Sequence, residues 1–204
     1  MGLSRWDQWR AEYKATSYAA QQDFYSGVWA TNPDQRHFTA TAALAFFDGS
    51  ARRVIEVGGW RGELAALVLT AHPEIELWRN YELCREAAAA AVSTDPRYEG
   101  VSPPDWVWSL PPAELAGFDT LVLSHVIEHM TAEDLAALLA ALHSPRRVYV
   151  ESPLFDEPRD WAGYHGTHIL ELGWRGVDAL FASAGFRLAV HAGKYVRHYA
   201  RGAP

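Results

Sequence analysis

One stretch decides the fold of this chain: residues 54–64, which read VIEVGGWRGEL. Its β-branched start is typical of a buried strand, its glycines favour a tight turn, and the alanine-rich continuation at 64–69 favours a helix. A glycine loop between a strand and a helix brings backbone N–H groups against a ligand at the carboxyl edge of an open sheet. The stretch therefore predicts a cofactor site at this loop.

The composition indicates a single domain without an extended basic face. The chain has 204 residues, is 49% hydrophobic and carries a net charge of −7, which suits one well-buried α/β unit and disfavours a large nucleic-acid surface. Cys84 is the single cysteine, so no intrachain disulfide is expected. There is no signal-like start and no apolar run of ~18 residues. We therefore expect a soluble, cytoplasmic protein.

Strand and helix patterns alternate through the rest of the chain. Strands are predicted at 53–57, 75–81, 98–101, 118–124 and 147–151, helices at 63–71, 83–92, 132–142 and 177–184, and a terminal hairpin at 186–191 with 194–199. This order predicts an α/β fold: a mostly parallel sheet covered by helices on both faces, with an antiparallel edge. No internal repeat is present.

The N-terminal segment, residues 1–50, forms a separate feature. Residues 4–47 are predicted to be helical, with a break at Asn32-Pro33. Aromatic residues are unusually frequent in this part of the chain: Trp6, Trp9, Tyr13, Phe24, Tyr25 and Trp29. Two interpretations stay open: an arm that packs its rings on the sheet domain, or a lid over an acceptor pocket.

Glu82 follows the second predicted strand. An acid at this position accepts hydrogen bonds from both hydroxyls of a ribose. The nicotinamide-dinucleotide fingerprint also places an acid here, but it requires G-x-G-x-x-G, and residues 58–62 read GGWRG. A triphosphate-binding loop is absent from the sequence as well. The loop and Glu82 together predict a different nucleoside cofactor.

Four blocks resemble motifs of class I S-adenosylmethionine-dependent methyltransferases. They are Glu56-x-Gly58-x-x-x-Gly62, Glu82, Asp105-Trp106, and the run 118–129, FDTLVLSHVIEH. The resemblance covers about residues 53–199 and implies a seven-stranded sheet with a reversed terminal hairpin, so that residues 51–204 form the methyltransferase domain.

The same resemblance assigns the cofactor contacts. It implies that Glu56 and the glycine loop, residues 58–62 with Gly58, Gly59, Trp60 and Gly62, approach the methionine part of S-adenosylmethionine. It implies that Glu82 binds the ribose and that Asp105 and Trp106 flank the adenine. Trp60 departs from the family, which usually has a glycine there, and its indole is predicted to open the loop slightly or to face the acceptor.

The block His125-x-x-Glu128-His129 has two interpretations. It is similar to the Glu-x-x-Glu-His segment by which some metal-dependent methyltransferases, including small-RNA 3′-end 2′-O-methyltransferases, hold Mg²⁺ or Mn²⁺. His125 replaces the first glutamate, and His168 matches a later histidine ligand of the RNA enzymes. Methyltransferases of this class that bind no metal share such segments too, with the residues shaping the acceptor pocket. Both interpretations stay open.

Histidines near the predicted methyl group are the candidate bases. A hydroxyl acceptor must lose its proton during methyl transfer, and a histidine is suited to take it. His125 and His129 are the first candidates, followed by His165 and His168. Five histidines are expected at the surface or in packing roles: His37, His72, His143, His191 and His198. Glu151 is predicted either to orient the acceptor or a ligand histidine, or to be structural.

Three functions compete for this sequence. The favoured one is O-methylation of a small molecule, a sugar or other polyhydroxylated metabolite, because the aromatic arm offers flat faces to sugar C–H groups. An RNA 2′-O-methyltransferase is the alternative, opposed by the scarcity of lysine. A non-enzymatic scaffold is the third, and only Trp60 supports it. The oligomeric state is not predicted by the sequence.

Overall fold

A computed structural model describes residues 17–31, 38–156 and 168–202. Several sequence-predicted features therefore lie outside the described residues: Trp6, Trp9, Tyr13, the break at Asn32-Pro33, His37 and His165. In the described ranges, no helix has the length and apolar character needed to cross a membrane.

Seven strands form the sheet, and they are flanked by helices. The strands are β1 Arg53–Val57, β2 Leu77–Tyr81, β3 Tyr98–Val101, β4 Thr120–Ser124, β5 Arg147–Glu151, β6 Phe186–His191 and β7 Val196–Arg201. The α-helices are α1 Tyr18–Thr31, α2 Ala40–Phe46, α3 Glu63–Ala71, α4 Arg85–Ala89, α5 Pro112–Leu115, α6 Ala132–Ala141 and α7 Trp174–Ser183. Within the described ranges, short 3₁₀ turns span Val107–Ser109 and Ile127–His129.

The strand order across the sheet is β3-β2-β1-β4-β5-β7-β6. The first five strands in this order are parallel, and β7 pairs antiparallel with both β5 and β6. The order reverses between β1 and β4, which is where an open parallel sheet leaves a crevice at its carboxyl edge. The predicted α/β fold with a reversed terminal hairpin is confirmed.

Both faces of the central strands β1, β4 and β5 are buried, as their near-continuous apolar residues predict. Alternate residues of β1 face opposite sides: Ile55 joins a core cluster with Leu138 of α6 and Phe181 of α7, and Val54 joins one with Val68 of α3. Since helices cover both faces of these strands, a ligand reaches them at the edge of the sheet.

The strands predicted to begin at 75, 118 and 194 begin two residues later, at Leu77, Thr120 and Val196. Two predicted helices differ from the structure by three residues at one end. The helix predicted at 83–92 is confined to Arg85–Ala89, because the chain beyond it turns back and the Val92 amide donates to the Arg61 carbonyl at 3.0 Å. The last helix begins at Trp174 rather than at 177. Its first amide donates to the Phe155 carbonyl at 2.7 Å, a contact that periodicity alone does not reveal.

Candidate functional site

One cavity of about 710 Å³ lies at the carboxyl edge of the sheet, at the reversal between β1 and β4. The glycine loop, the end of β2, the segment after β4 and helix α1 line it. Most predicted site residues of the described chain meet there: Glu56, Gly58, Gly59, Trp60, Glu82, Trp106, His125, Glu128, His129 and His168. Gly62 and Asp105 are not among its lining residues.

The glycines of the loop permit close packing beneath it. A Cβ on Gly59 would lie 2.3 Å from Cδ of Glu56, and a Cβ on Gly62 would lie 2.5 Å from the Tyr98 ring. Gly62 also has φ of 76°, a left-handed conformation that favours glycine. Gly62 therefore lets the loop turn into α3 against Tyr98, and its contribution to the cavity is indirect.

Glu56 lies beneath the glycine loop. Its side chain is buried, and Oε2 accepts a hydrogen bond from the Trp78 indole at 2.8 Å. Burial raises the pKa of Glu56 to about 8, against the opposing effect of that hydrogen bond. The carboxyl group is thus in position to support the loop from below while it lines the cavity.

Glu82 holds the loop from the end of β2. Its Oε2 accepts from the Trp60 amide and its Oε1 from the Cys84 amide, both at 2.8 Å. The side chain is only 4% exposed, and burial raises its pKa to about 7 despite these hydrogen bonds. A carboxylate with acceptor capacity at a cavity wall is suited to bind a diol.

Trp106 and Trp108 form an aromatic wall at the same end of the cavity. Their rings stack with centroids 5.0 Å apart and planes 7° apart. Tyr18 of α1 meets Trp106 edge to face at 5.1 Å. Asp105 is exposed, and its Oδ1 accepts from the Trp106 amide at 2.7 Å. Asp105 therefore shapes the turn that carries Trp106.

Trp60 adopts a left-handed backbone with φ of 50°. Its carbonyl accepts from the Asn80 side-chain amide at 3.1 Å, and its ring lies 5.7 Å from that of Trp29 in α1. The indole thus contacts the N-terminal helix as well as the cavity.

Helix α1 lines the cavity with Tyr18 and Tyr25, and two residues that attach it, Tyr18 and Gln22, were not predicted from the sequence. The Tyr18 hydroxyl donates to the Pro103 carbonyl at 2.6 Å, and the buried Gln22 donates to the Leu83 carbonyl at 3.2 Å. Tyr18, Gln22, Tyr25 and Trp29 recur at the three- and four-residue spacing of one helix face. This spacing could have predicted from the sequence that these residues share one helix face, but the polar Gln22 interrupts the aromatic pattern.

His125 is held between two carboxylates. Its Nδ1 lies 3.3 Å from Oε1 of Glu128, and its Nε2 lies 3.9 Å from Oε1 of Glu151. Burial opposes a charged imidazole, but the hydrogen bond with Glu128 and the two negative charges outweigh it and raise the pKa of His125 above 6.5. The residue has φ of 53°.

Glu128, His129 and His168 form a compact group. One ligand atom from each lies within 4.8 Å of the other two, and the two imidazole rings are 4.9 Å apart. Glu128 is 1% exposed and accepts from the Ser152 hydroxyl at 2.8 Å. Burial works against its ionisation, yet its hydrogen bond with His125 lowers the pKa of Glu128. His125 is not part of this group.

Two histidines that were predicted to be structural have packing contacts. His72 ends α3, and its Nδ1 is 2.9 Å from Oε1 of Glu74. His198 is buried beside Phe46 and Tyr149, and burial lowers its pKa.

The fold is that of class I S-adenosylmethionine-dependent methyltransferases. Among the solved structures that it resembles is the mitomycin 7-O-methyltransferase MmcR, at 20% identity and a TM-score of 0.63, over 92% of this chain and 61% of that one. NcsB1, an O-methyltransferase from neocarzinostatin biosynthesis, was solved with S-adenosylmethionine and 2-hydroxy-5-methyl naphthoic acid. It matches at 20% identity and a TM-score of 0.59, over 98% and 62%.

A human protein is also similar. N-acetylserotonin methyltransferase, in complex with S-adenosylmethionine, matches at 18% identity and a TM-score of 0.59, over 91% of this chain and 55% of its own. This chain thus spans about three fifths of the length of these neighbours. No family model and no curated protein sequence matches it.

Proposed function

We propose that this protein is an S-adenosylmethionine-dependent O-methyltransferase that acts on a hydroxyl group of a small molecule. The observation that carries the proposal is the cavity itself, which joins Glu82 and Trp106 at one end to His125, Glu128 and His129 at the other. One end of the cavity is suited to a nucleoside and the other end is suited to accept a proton. Such an arrangement suits the transfer of a group between two bound molecules.

The residues fit the cofactor. Glu82 offers its carboxylate oxygens to the ribose hydroxyls, and Trp106 offers a flat wall to the adenine. When bound, S-adenosylmethionine would supply the methyl group to the acceptor oxygen, with the electron pair of the broken C–S bond left on sulfur. The chain then acts by aligning the two molecules and by taking the hydroxyl proton.

His129 is the favoured base. His125 faces carboxylates with both ring nitrogens, which suits an imidazole that donates on both sides. His129 lines the cavity, and its ring is nearly perpendicular to that of Tyr25, with ring centroids 6.4 Å apart. In this proposal His125 orders Glu128, and His129 accepts the proton.

Small molecules are the proposed acceptors, with a carbohydrate or other polyhydroxylated metabolite as the first class. Tyr25, Phe38 and Met130 provide apolar surface on the described acceptor side, and flat rings can contact the C–H face of a sugar. The same surface favours an aromatic hydroxyl as the second candidate, the kind of ligand present in the NcsB1 structure.

An RNA acceptor has less support. Among the described lining residues there are four carboxyl groups, Glu56, Glu63, Glu82 and Glu128, and no lysine or arginine, so this wall offers a phosphate backbone no cationic partner. RNA as the acceptor, and a scaffold that transfers no methyl group, are therefore the alternatives that the methyl-transfer test distinguishes.

The N-terminal arm, residues 1–50, is proposed to act as a lid on the domain of residues 51–204. Helix α1 lies over both ends of the cavity, with Tyr18 near Trp106 and Tyr25 near His129. Closure of such a helix excludes water from a bound cofactor.

A divalent ion is the second proposal for the histidine end. Two imidazoles and a carboxylate are a suitable donor set for a transition ion, and Glu128, His129 and His168 are close enough together to share one. Bound there, the ion would lower the pKa of an acceptor hydroxyl. A ring nitrogen of His129 that holds a metal cannot also take the proton, so the two roles exclude each other.

Methyl transfer to a panel of sugars, phenols and RNA ends, using a tritiated cofactor, tests the function. We expect transfer to a hydroxylated small molecule. Absence of S-adenosylmethionine binding by calorimetry would contradict the enzyme proposal, and transfer to RNA alone would overturn the acceptor class.

Chelation tests the metal separately. If the ion is bound, Mn²⁺ added to EDTA-treated protein raises Tm in the wild type but not in His168→Ala. If Tm and turnover are unaffected by EDTA and Mn²⁺, the metal proposal fails and the base role of His129 stands.

A further inference from the structure

Glu151 is a buried carboxylate whose partners are mostly uncharged. It ends β5 and is 3% exposed. Its Oε2 accepts from the Tyr149 hydroxyl at 2.7 Å and from the Thr39 amide at 2.9 Å, and its Oε1 accepts from the Thr39 hydroxyl at 2.5 Å. Burial of a carboxylate is costly unless its oxygens accept hydrogen bonds, so these donors hold the Glu151 side chain in its position.

The contact with Thr39 is unusual for a helix start. Thr39 is the N-cap of α2, but its side chain makes no capping hydrogen bond to its own helix. A threonine in this position normally accepts a hydrogen bond from an amide of the first turn, and that contact stabilises the helix. Here the hydroxyl donates to Glu151 instead. The entry to α2 is therefore held by the end of β5.

The same carboxylate also faces the catalytic end of the cavity. Its Oε1 lies 3.9 Å from Nε2 of His125, and its backbone carbonyl accepts from the His125 amide at 2.7 Å. Phe38, which directly precedes Thr39, lines the cavity. One residue thus connects the N-terminal arm, the cavity wall and His125.

We propose that Glu151 is a positioning residue. Its hydrogen bonds with Thr39, beside His125, hold Phe38 in place over the acceptor end of the cavity. This inference rests on the proposed methyltransferase function. Its consequence is that loss of the Thr39 hydroxyl weakens acceptor binding, while the distant Glu82 end keeps its cofactor affinity.

The test compares Thr39→Val with Thr39→Ser. Valine removes the hydroxyl at similar volume, and serine restores the donor. We expect Thr39→Val to raise the acceptor KM by about tenfold, the scale of one lost hydrogen bond to a charged group. S-adenosylhomocysteine affinity should stay unchanged, and Thr39→Ser should recover the acceptor KM. Glu151→Gln is expected to behave like Thr39→Val.

A matched control and a readout independent of turnover complete the experiment. Thr70→Val makes the same chemical change where the hydroxyl donates to Ala66 within α3 at 2.8 Å, and it should leave the acceptor KM unchanged. Amide exchange at 38–41 should accelerate in Thr39→Val but not in Thr70→Val.

The experiment distinguishes failure of the proposed function from failure of the positioning role of Glu151. If the wild type binds no cofactor and transfers no methyl group, the proposed function fails and the positioning role fails with it. If the wild type is active and the acceptor KM of Thr39→Val is unchanged, only the role of Glu151 is overturned, even where amide exchange accelerates.

Discussion

Two residues of the site hold a backbone conformation that side chains disfavour. Trp60 and His125 are the non-glycine residues with positive φ in the described ranges. Such conformations cost on the order of 1–3 kcal/mol and persist where the surroundings enforce them. Hydrogen bonds at the Trp60 amide and carbonyl, and at the His125 amide, provide that enforcement. The strain is therefore placed at the two ends of the proposed reaction centre.

The raised pKa of Glu82 predicts a pH-dependent cofactor affinity. Ribose hydroxyls donate best to the ionised carboxylate, whose pKa is about 7 in the folded protein. S-adenosylhomocysteine should bind about tenfold more weakly at pH 6 than at pH 8, because the ionised fraction falls through this pKa. Calorimetry at pH 6, 7 and 8 measures it.

Glu82→Gln provides the control, since glutamine does not titrate. Its affinity should be weaker and should change less between pH 6 and 8 than that of the wild type, because Glu56, with a pKa of about 8, still titrates in the same cavity.

The free energy of unfolding of the unliganded protein should show the opposite trend and fall as the pH rises. A carboxyl group whose folded pKa is raised from 4.5 stabilises the fold below 4.5, and that contribution is lost as pH rises through about 7. A wild-type affinity that is constant from pH 6 to 8 would contradict the ribose role.

Trp60 is predicted to stabilise the covering helix as well as to line the cavity. Trp60→Gly relieves the positive φ but removes the contact with Trp29. We expect weaker cofactor binding, because α1 loses one of its anchors. A double-mutant cycle with Trp29→Ala should show a coupling of about 0.5–1.5 kcal/mol, typical of an aromatic pair. If the affinity effects of the two changes simply add, the rings are not an energetic pair.

Helix α1 is attached to the domain by polar as well as aromatic contacts. Gln22 is 4% exposed, donates to the Leu83 carbonyl, and accepts from Nη2 of Arg85 at 2.6 Å. Ser26 donates to Oε2 of Glu86 at 2.7 Å. These partners belong to the segment that follows Glu82. Movement of α1 and cofactor binding are therefore expected to be coupled.

Gln22→Ala tests this coupling. The change removes the hydrogen bonds of Gln22 with the Leu83 carbonyl and the Arg85 guanidinium, each of which contributes about 1 kcal/mol to the attachment of α1. Amide exchange in α1 should accelerate, and S-adenosylhomocysteine affinity should fall. Asp23→Ala, on the exposed face of the same helix, is the control and should change neither. Unchanged exchange in Gln22→Ala would mean that the rings alone hold the helix.

At the scale of the whole molecule, the cavity joins parts that are distant in the chain. Its lining includes α1, the loop after β1, the segment after β3 and the segment after β4. A ligand in it contacts several elements at once, so binding and global stability should be linked.

Cofactor product at 100 times its Kd should stabilise the fold by about 2.7 kcal/mol, which corresponds to roughly 5–10 °C in Tm for a chain of this size. Thermal unfolding with and without S-adenosylhomocysteine measures the shift. Amide exchange should slow in α1, in the glycine loop and at Trp106 together. Protection of the loop without protection of α1 would show that the helix does not cover the bound cofactor.

By itself, the sequence determined the sheet and the edge at which the site lies. Strands β1 and β5 and helix α3 have their predicted bounds, because runs of apolar β-branched residues and glycine turns are local signals. The placement of Glu82 and Glu128 at the cavity follows from this, since the carboxyl ends of parallel strands share one edge.

Only the tertiary structure decided how the side chains of the site are grouped. It placed His125 between Glu128 and Glu151, grouped His129 and His168 with Glu128, and assigned Gly62 to packing. It also brought Thr39 to Glu151 across 112 positions of the chain. Periodicity reports which face of an element is buried, but it carries no information about which distant side chain will be there, because that depends on how the elements pack.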